Sequence, residues 1–131
     1  MGTSGSSLRL RLVREALTVV AASAPDQTAW LKKYGVATDE IALDLEHACL
    51  IAGRLVDEGF LARDVLADLR AIEAIFDEMT SEQGADGARW ATAALGDDPG
   101  WCRARELAQR VLAGWGADII GLPEICVVRF P

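Results

Sequence analysis

A single histidine, His47, stands in the most acidic part of the chain, with Asp44 three residues before it and Glu40 four before that. On a helix those offsets bring the three side chains onto one face. Carboxylates and an imidazole on one face are the beginnings of a divalent-metal site, and Asp44-x-x-His47 has the spacing of the pairs that hold di-iron centres in helical bundles. A second helix running back from the turn at Gly59-Phe60-Leu61 brings Glu73 and Asp77 to a similar height. Glu40, Asp44, His47, Glu73 and Asp77 are thus the candidate ligands of a metal-dependent helical-bundle enzyme. Two points weigh against this set. Bundle sites of that kind use two carboxylate–histidine pairs, and this chain has one histidine. The apolar stripe of the second helix also leaves Glu73 and Asp77 on its flank. A solvated strip with a local Asp44–His47 hydrogen bond is the simpler reading, and no cofactor is expected.

Nucleophilic catalysis finds less support. Cys49 is two residues from His47, on another side of the helix, and lies among Ala48, Leu50 and Ile51, where a thiol behaves as a small core hydrophobe. The three cysteines, Cys49, Cys102 and Cys126, match no zinc spacing and are expected to be reduced. No G-x-S-x-G, P-loop or G-x-G-x-x-G stretch occurs. Arg103, Arg105 and Arg110 read as solvated and carry no interleaved aromatic platform for nucleic acid. A helix-turn-helix over Asp26 to Glu58 fails on charge, since its second helix would carry Asp39, Glu40, Asp44 and Glu46.

The elements that must hold these residues follow from periodicity and caps. Met1 to Ser7 is expected to be a flexible lead-in, with a single helical domain over 8–131 and a cap for its first helix at Ser6 or Ser7. Leu10, Val13, Leu17, Val20 and Ala24 recur at helical spacing. Pro25 ends that helix, and Asp26 is the expected cap of a short one through Tyr34, stopped by Gly35. Thr38 is the expected cap of the central helix, which runs to Glu58. Ile41, Leu45, Ala48, Ala52, Leu55 and Val56 form its main stripe, while Leu43 and Leu50 lie nearly opposite. Two apolar faces predict neighbours on two sides. A helix over 62–79 then pairs with it antiparallel. A short helix over 88–95 holds Trp90, and Asp98-Pro99 starts a last helix that reaches about Ala113. The tail through Ile125 to Phe130 is apolar and β-prone, and is expected to form an extended C-terminal arm. The predicted fold is all-α: a bundle of five to six helices with a central antiparallel pair, its short helices knitted in by Trp30, Trp90, Trp101 and Trp115.

The 131 residues suffice for one domain with a core of its own, and carry a net charge of −7. That charge is uneven. Residues 1–35 carry five bases and two acids, residues 36–79 three and eleven, and residues 80–131 five and seven. So acidic a middle third repels phosphate backbones and attracts a basic protein. No signal peptide and no run of about 18 apolar residues is present, so a cytoplasmic protein without membrane contact is expected.

The runs AWLKKYGVATDEIALDLEHA, LADLRAIEAIFDEM and DDPGWCRARELAQRVL resemble small helical proteins of actinobacteria, a likeness that spans Ala29 to Leu112 and implies no activity. Small size, acidity and helical character are similar, more loosely, to bacterial immunity proteins. The sequence thus favours a non-catalytic interaction module, in concrete form an immunity or antitoxin-like inhibitor of a basic partner. Asp39, Glu40, Asp44, Asp57, Glu58, Asp64 and Asp68 are its expected contact residues. A homodimer built through the tail is a third reading.

Overall fold

Four long helices each present one apolar stripe, and the stripes close on one another in a ring. In a computed structural model, which describes residues 2–83 and 88–115 and side chains over 8–81 and 88–114, α1 spans Gly2–Ala21, α2 Ala24–Tyr34, α3 Asp39–Asp57, α4 Arg63–Gln83 and α5 Pro99–Trp115. Helix α1 packs on α3 and α5, and α4 packs on the same two from the other side. Arg9 near the start of α1 meets Glu58 just past the end of α3. Cys49 of α3 meets Leu69 of α4, and Met79 late in α4 abuts Gly100 at the start of α5. Successive helices around the ring therefore run antiparallel, giving the expected all-α bundle with its central antiparallel pair.

The core consists of the stripes read from the sequence. Val13, Leu17, Leu45, Leu55, Leu69, Ile72, Met79 and Trp101 are buried. Trp101 also has Phe76 at 5.0 Å and Trp90 at 5.5 Å between ring centroids, an aromatic cluster where α4 meets α5. Every residue expected to point inward from α5 does so: Trp101, Ala104, Leu107, Ala108, Val111 and Leu112 are all buried.

Helix ends hold several departures. Helix α1 begins at Gly2, ahead of the cap expected at Ser6 or Ser7. Helix α2 is capped by Ser23, whose hydroxyl accepts from the Asp26 N–H at 3.3 Å, so Pro25 opens that helix and does not merely close the one before it. Gly35 ends α2 with φ +62°, and Gly59 follows α3 with φ +84°, both in the left-handed region glycine enters without strain. Thr38 precedes α3 but makes no capping bond; it is buried, with its hydroxyl 3.5 Å from that of Thr92. The expected helix around Trp90 is two 3-10 turns, Ala88–Trp90 and Thr92–Leu95. Asp98 caps α5 as expected: its Oδ1 accepts from the Gly100 N–H at 2.7 Å, and Arg89 holds the same carboxylate at 2.8 Å.

Two readings fail for stated reasons. Leu43 and Leu50 are 50% and 67% exposed, so the second apolar face of α3 is uncovered. Both neighbours of α3, α1 and α4, bear on one broad face, which includes Ile41, Leu45, Ala48, Cys49, Ala52 and Leu55. Arg105 is not solvated. It donates to the carbonyls of Ala22 at 2.9 Å and Leu95 at 2.7 Å and to Gln27 Oε1 at 2.9 Å. Gln27 is fully buried, and its amide donates to the carbonyls of Val19 and Val20. Gln109 donates to Ala21. The carbonyls at the end of α1, which no residue of that helix can meet, are thus answered by side chains of α2 and α5. The expected C-terminal arm and the Trp115 indole lie outside the described residues.

Candidate functional site

Glu73 and Asp77 project from α4 towards α3, but the acids they meet there are Asp39 and Glu46. These four carboxylates line a cleft of about 230 Å³ between the two helices, and the buried rings of Phe76 and Trp90 belong to the same lining. The carboxyl of Glu73 is held above its usual range, first by burial, then by the neighbouring charges of Asp77 and Glu46, with Arg70 opposing. Deeper in the same seam, burial pushes the Cys49 thiol up to about 12, and Glu73 adds to the effect. A thiol so reluctant to ionise is no nucleophile; its Sγ rests 3.6 Å from the Leu69 carbonyl.

Trp90 differs from the tryptophan it packs against. Trp101 donates its indole N–H to the Arg89 carbonyl at 2.9 Å. The Trp90 indole N–H is buried and has no hydrogen-bond partner among the described residues.

Beside the cleft runs the uncovered ridge of α3. Asp39, Leu43, Glu46, Leu50 and Asp57 follow one another along one side of that helix, at a rise of about 1.5 Å per residue. Leu43 and Leu50 are the apolar points of the ridge; Glu46 lies exposed between them and Asp57 beyond. Helical spacing signalled the leucine pair in the sequence. That spacing is the same whether a stripe is covered or bare, so the sequence reading took it for a buried face.

The proposed metal ligands do not come together. Glu58 shares a side of α3 with His47, about three turns away, and Glu58 is bound by Arg9 of α1 at 2.8 and 3.2 Å. The strip through Glu40, Asp44 and His47 therefore borders α1, whereas Glu73 and Asp77 meet the other flank of α3. Among the described residues, no three His, Cys, Asp or Glu side chains are grouped to hold a metal ion.

The seven expected contact acids divide as well. Asp39 lines the cleft and Asp57 lies on the ridge. Glu40, Asp44 and Glu58 belong to the flank facing α1, and the Arg9 guanidinium keeps the Glu58 carboxyl below its ordinary range. Asp64 and Asp68 stand roughly half a turn around α4 from Glu73. Glu46 was not among the residues chosen from sequence, and Glu73 and Asp77 were chosen only as metal ligands; with Asp39 these acids line the cleft, and Leu43 borders it. Among the described residues, no helix is long and apolar enough to cross a membrane. Known protein families, curated proteins and solved structures give no match to the chain, so no residue role comes from a relative.

Proposed function

We propose that the protein is a non-catalytic interaction module that docks a basic protein on the α3 ridge, in concrete form an immunity or antitoxin-like inhibitor. The observation that carries this reading is the pair of bare leucines, Leu43 and Leu50, set among Asp39, Glu46 and Asp57. An apolar point ringed by charge is the usual make-up of an interface: the centre supplies affinity, and the rim supplies orientation and speed of encounter. Covering one such leucine is worth about 1.5–3 kcal/mol, reduced here because each is already partly covered. The acids contribute chiefly to association rate and salt dependence.

The test uses Leu43→Asp/Leu50→Asp, both at positions that no core contact needs. Helicity and melting temperature are expected to stay near wild type. Candidate partners are any basic proteins found to be encoded beside this one, with binding followed by calorimetry at low and high salt. Wild type is expected to bind a basic partner more weakly as salt rises, and the double variant to lose at least about tenfold in affinity. Equal binding by the two proteins sinks the reading.

A further inference from the structure

The bare ridge of α3 is divided along its length by charge. The exposed Leu43 and Leu50, one heptad apart, mark its midline. Helical spacing puts Glu46 and Asp57 on the flank towards α4, and His47 and Arg54 on the flank towards α1; all four are exposed. Gly53 lies on the α4 side as well. It stands inside a helix, where glycine is less stable than alanine. Its φ is not positive, and among the described residues no atom lies within 4 Å of a Cβ built there. The described residues thus give no reason for the missing side chain, whereas a second helix packed on the ridge does.

We propose that the ridge is self-complementary and docks a second copy of this chain, the two α3 helices running parallel about a two-fold axis. A parallel two-fold brings Leu43 onto its own counterpart and Leu50 onto its own. It also sets the α4 flank of one copy against the α1 flank of the other. Glu46 then faces the second copy's His47, and Asp57 faces the second copy's Arg54, each pair occurring twice. Gly53 leaves room for that arginine to cross. An antiparallel pair instead sets like flank against like, acid upon acid, and brings only one level of the helix onto itself. The net charge of −7 on each chain opposes association, and one helix per copy makes a small contact. The dimer is therefore weak, and a basic partner that covers the same leucines displaces the second copy.

Sedimentation equilibrium of the full chain, from micromolar to millimolar concentration, is the first measurement. Wild type is expected to form reversible dimers, and a monomer throughout would overturn the proposal. Arg54→Asp and Asp57→Arg are each expected to weaken the dimer by at least about tenfold. An equimolar mixture of those two chains restores both opposite-charge pairs and is expected to recover association. Gly53→Gln is expected to lose as much with helicity kept. Orientation is read from Leu43→Cys and Leu50→Cys, made separately in a Cys102→Ser/Cys126→Ser background, with Cys49 buried and unreactive. Both are expected to give disulfide-linked dimers under mild oxidation, because only a parallel pair brings both levels onto themselves. Cross-linking at one position alone, a Gly53→Gln dimer as tight as wild type, or a mixture no tighter than its components would overturn the arrangement. No basic partner enters these measurements, so their failure leaves the docking reading to its own test.

Discussion

Glu73 is the carboxylate with the least comfortable surroundings on α4. Its pKa lies above the ordinary glutamate value because it is partly buried and faces Asp77 and Glu46, with Arg70 giving only partial relief. A raised folded-state pKa means that the folded protein holds this proton more tightly than the unfolded chain does. The associated stability is complete below the unfolded glutamate pKa of about 4.3 and is lost as pH rises through the folded value. Glu73→Gln, which mimics the protonated form, is therefore expected to raise the melting temperature at neutral pH and to leave it unchanged near pH 3. Thermal melts at the two pH values check this; a gain confined to acid would refute it. No spacing in the chain identifies Glu73's partners. His47 drew attention because histidine is rare and chemically versatile, and Asp44 and Glu40 because they share its face. Which of two flanking helices a strip will meet depends on the rotation of α3 in the bundle, and that rotation is a property of packing. Cys49 was legible as a core thiol because its neighbours in sequence are apolar and its position belongs to the buried stripe.

At the level of elements, signals confined to a few residues were read well. Asp98-Pro99 opens α5, Gly35 closes α2 and Gly59 follows α3, because each depends on a local backbone preference. Signals that depend on a neighbour were not. Ser23 displaced Asp26 as a cap once α1 had ended at Ala21. Thr38 sits where a cap should be, but its hydroxyl is turned to Thr92 from another part of the chain. The start of α5 shows how tightly such a junction is built. A Cβ placed on Gly100 would stand 2.8 Å from Met79 Sδ, 2.9 Å from Arg89 Nη2 and 3.0 Å from Asp98 Oδ1. Alanine is the better helix former by about 1 kcal/mol, yet the Arg89–Asp98 pair it would strike is held at 2.8 Å. Gly100→Ala is therefore expected to destabilise by about 1–2 kcal/mol, seen as a lower midpoint in urea with an unchanged slope. A higher midpoint would show that Met79 and Arg89 yield without loss.

For the whole molecule, the class and pairing of helices were legible because four periodic stripes of similar length have few ways to cover one another. The closure of the ring was not. It depends on Arg105, a cation that read as solvated, and on Gln27, a buried amide that no periodicity singled out. Together with Gln109 they satisfy the carbonyls from Val19 to Ala22. Arg105→Met keeps the aliphatic stem and removes the head group, leaving Gln27 Oε1 and the carbonyls of Ala22 and Leu95 without this donor. A loss of about 2–4 kcal/mol is expected, measured by urea unfolding; a loss below 1 kcal/mol would mean that water replaces the guanidinium at all three. The same arrangement bears on synthesis. A ribosome releases α1 first, and Gln27 of the next helix meets the Val19 and Val20 carbonyls, but the groups that meet those of Ala21 and Ala22 lie on α5, separated from α1 by most of the chain. The earliest helix to be made is thus among the last to be finished, and a nascent chain that stops short of Arg105 leaves the Ala21 and Ala22 carbonyls without the donors the full protein gives them.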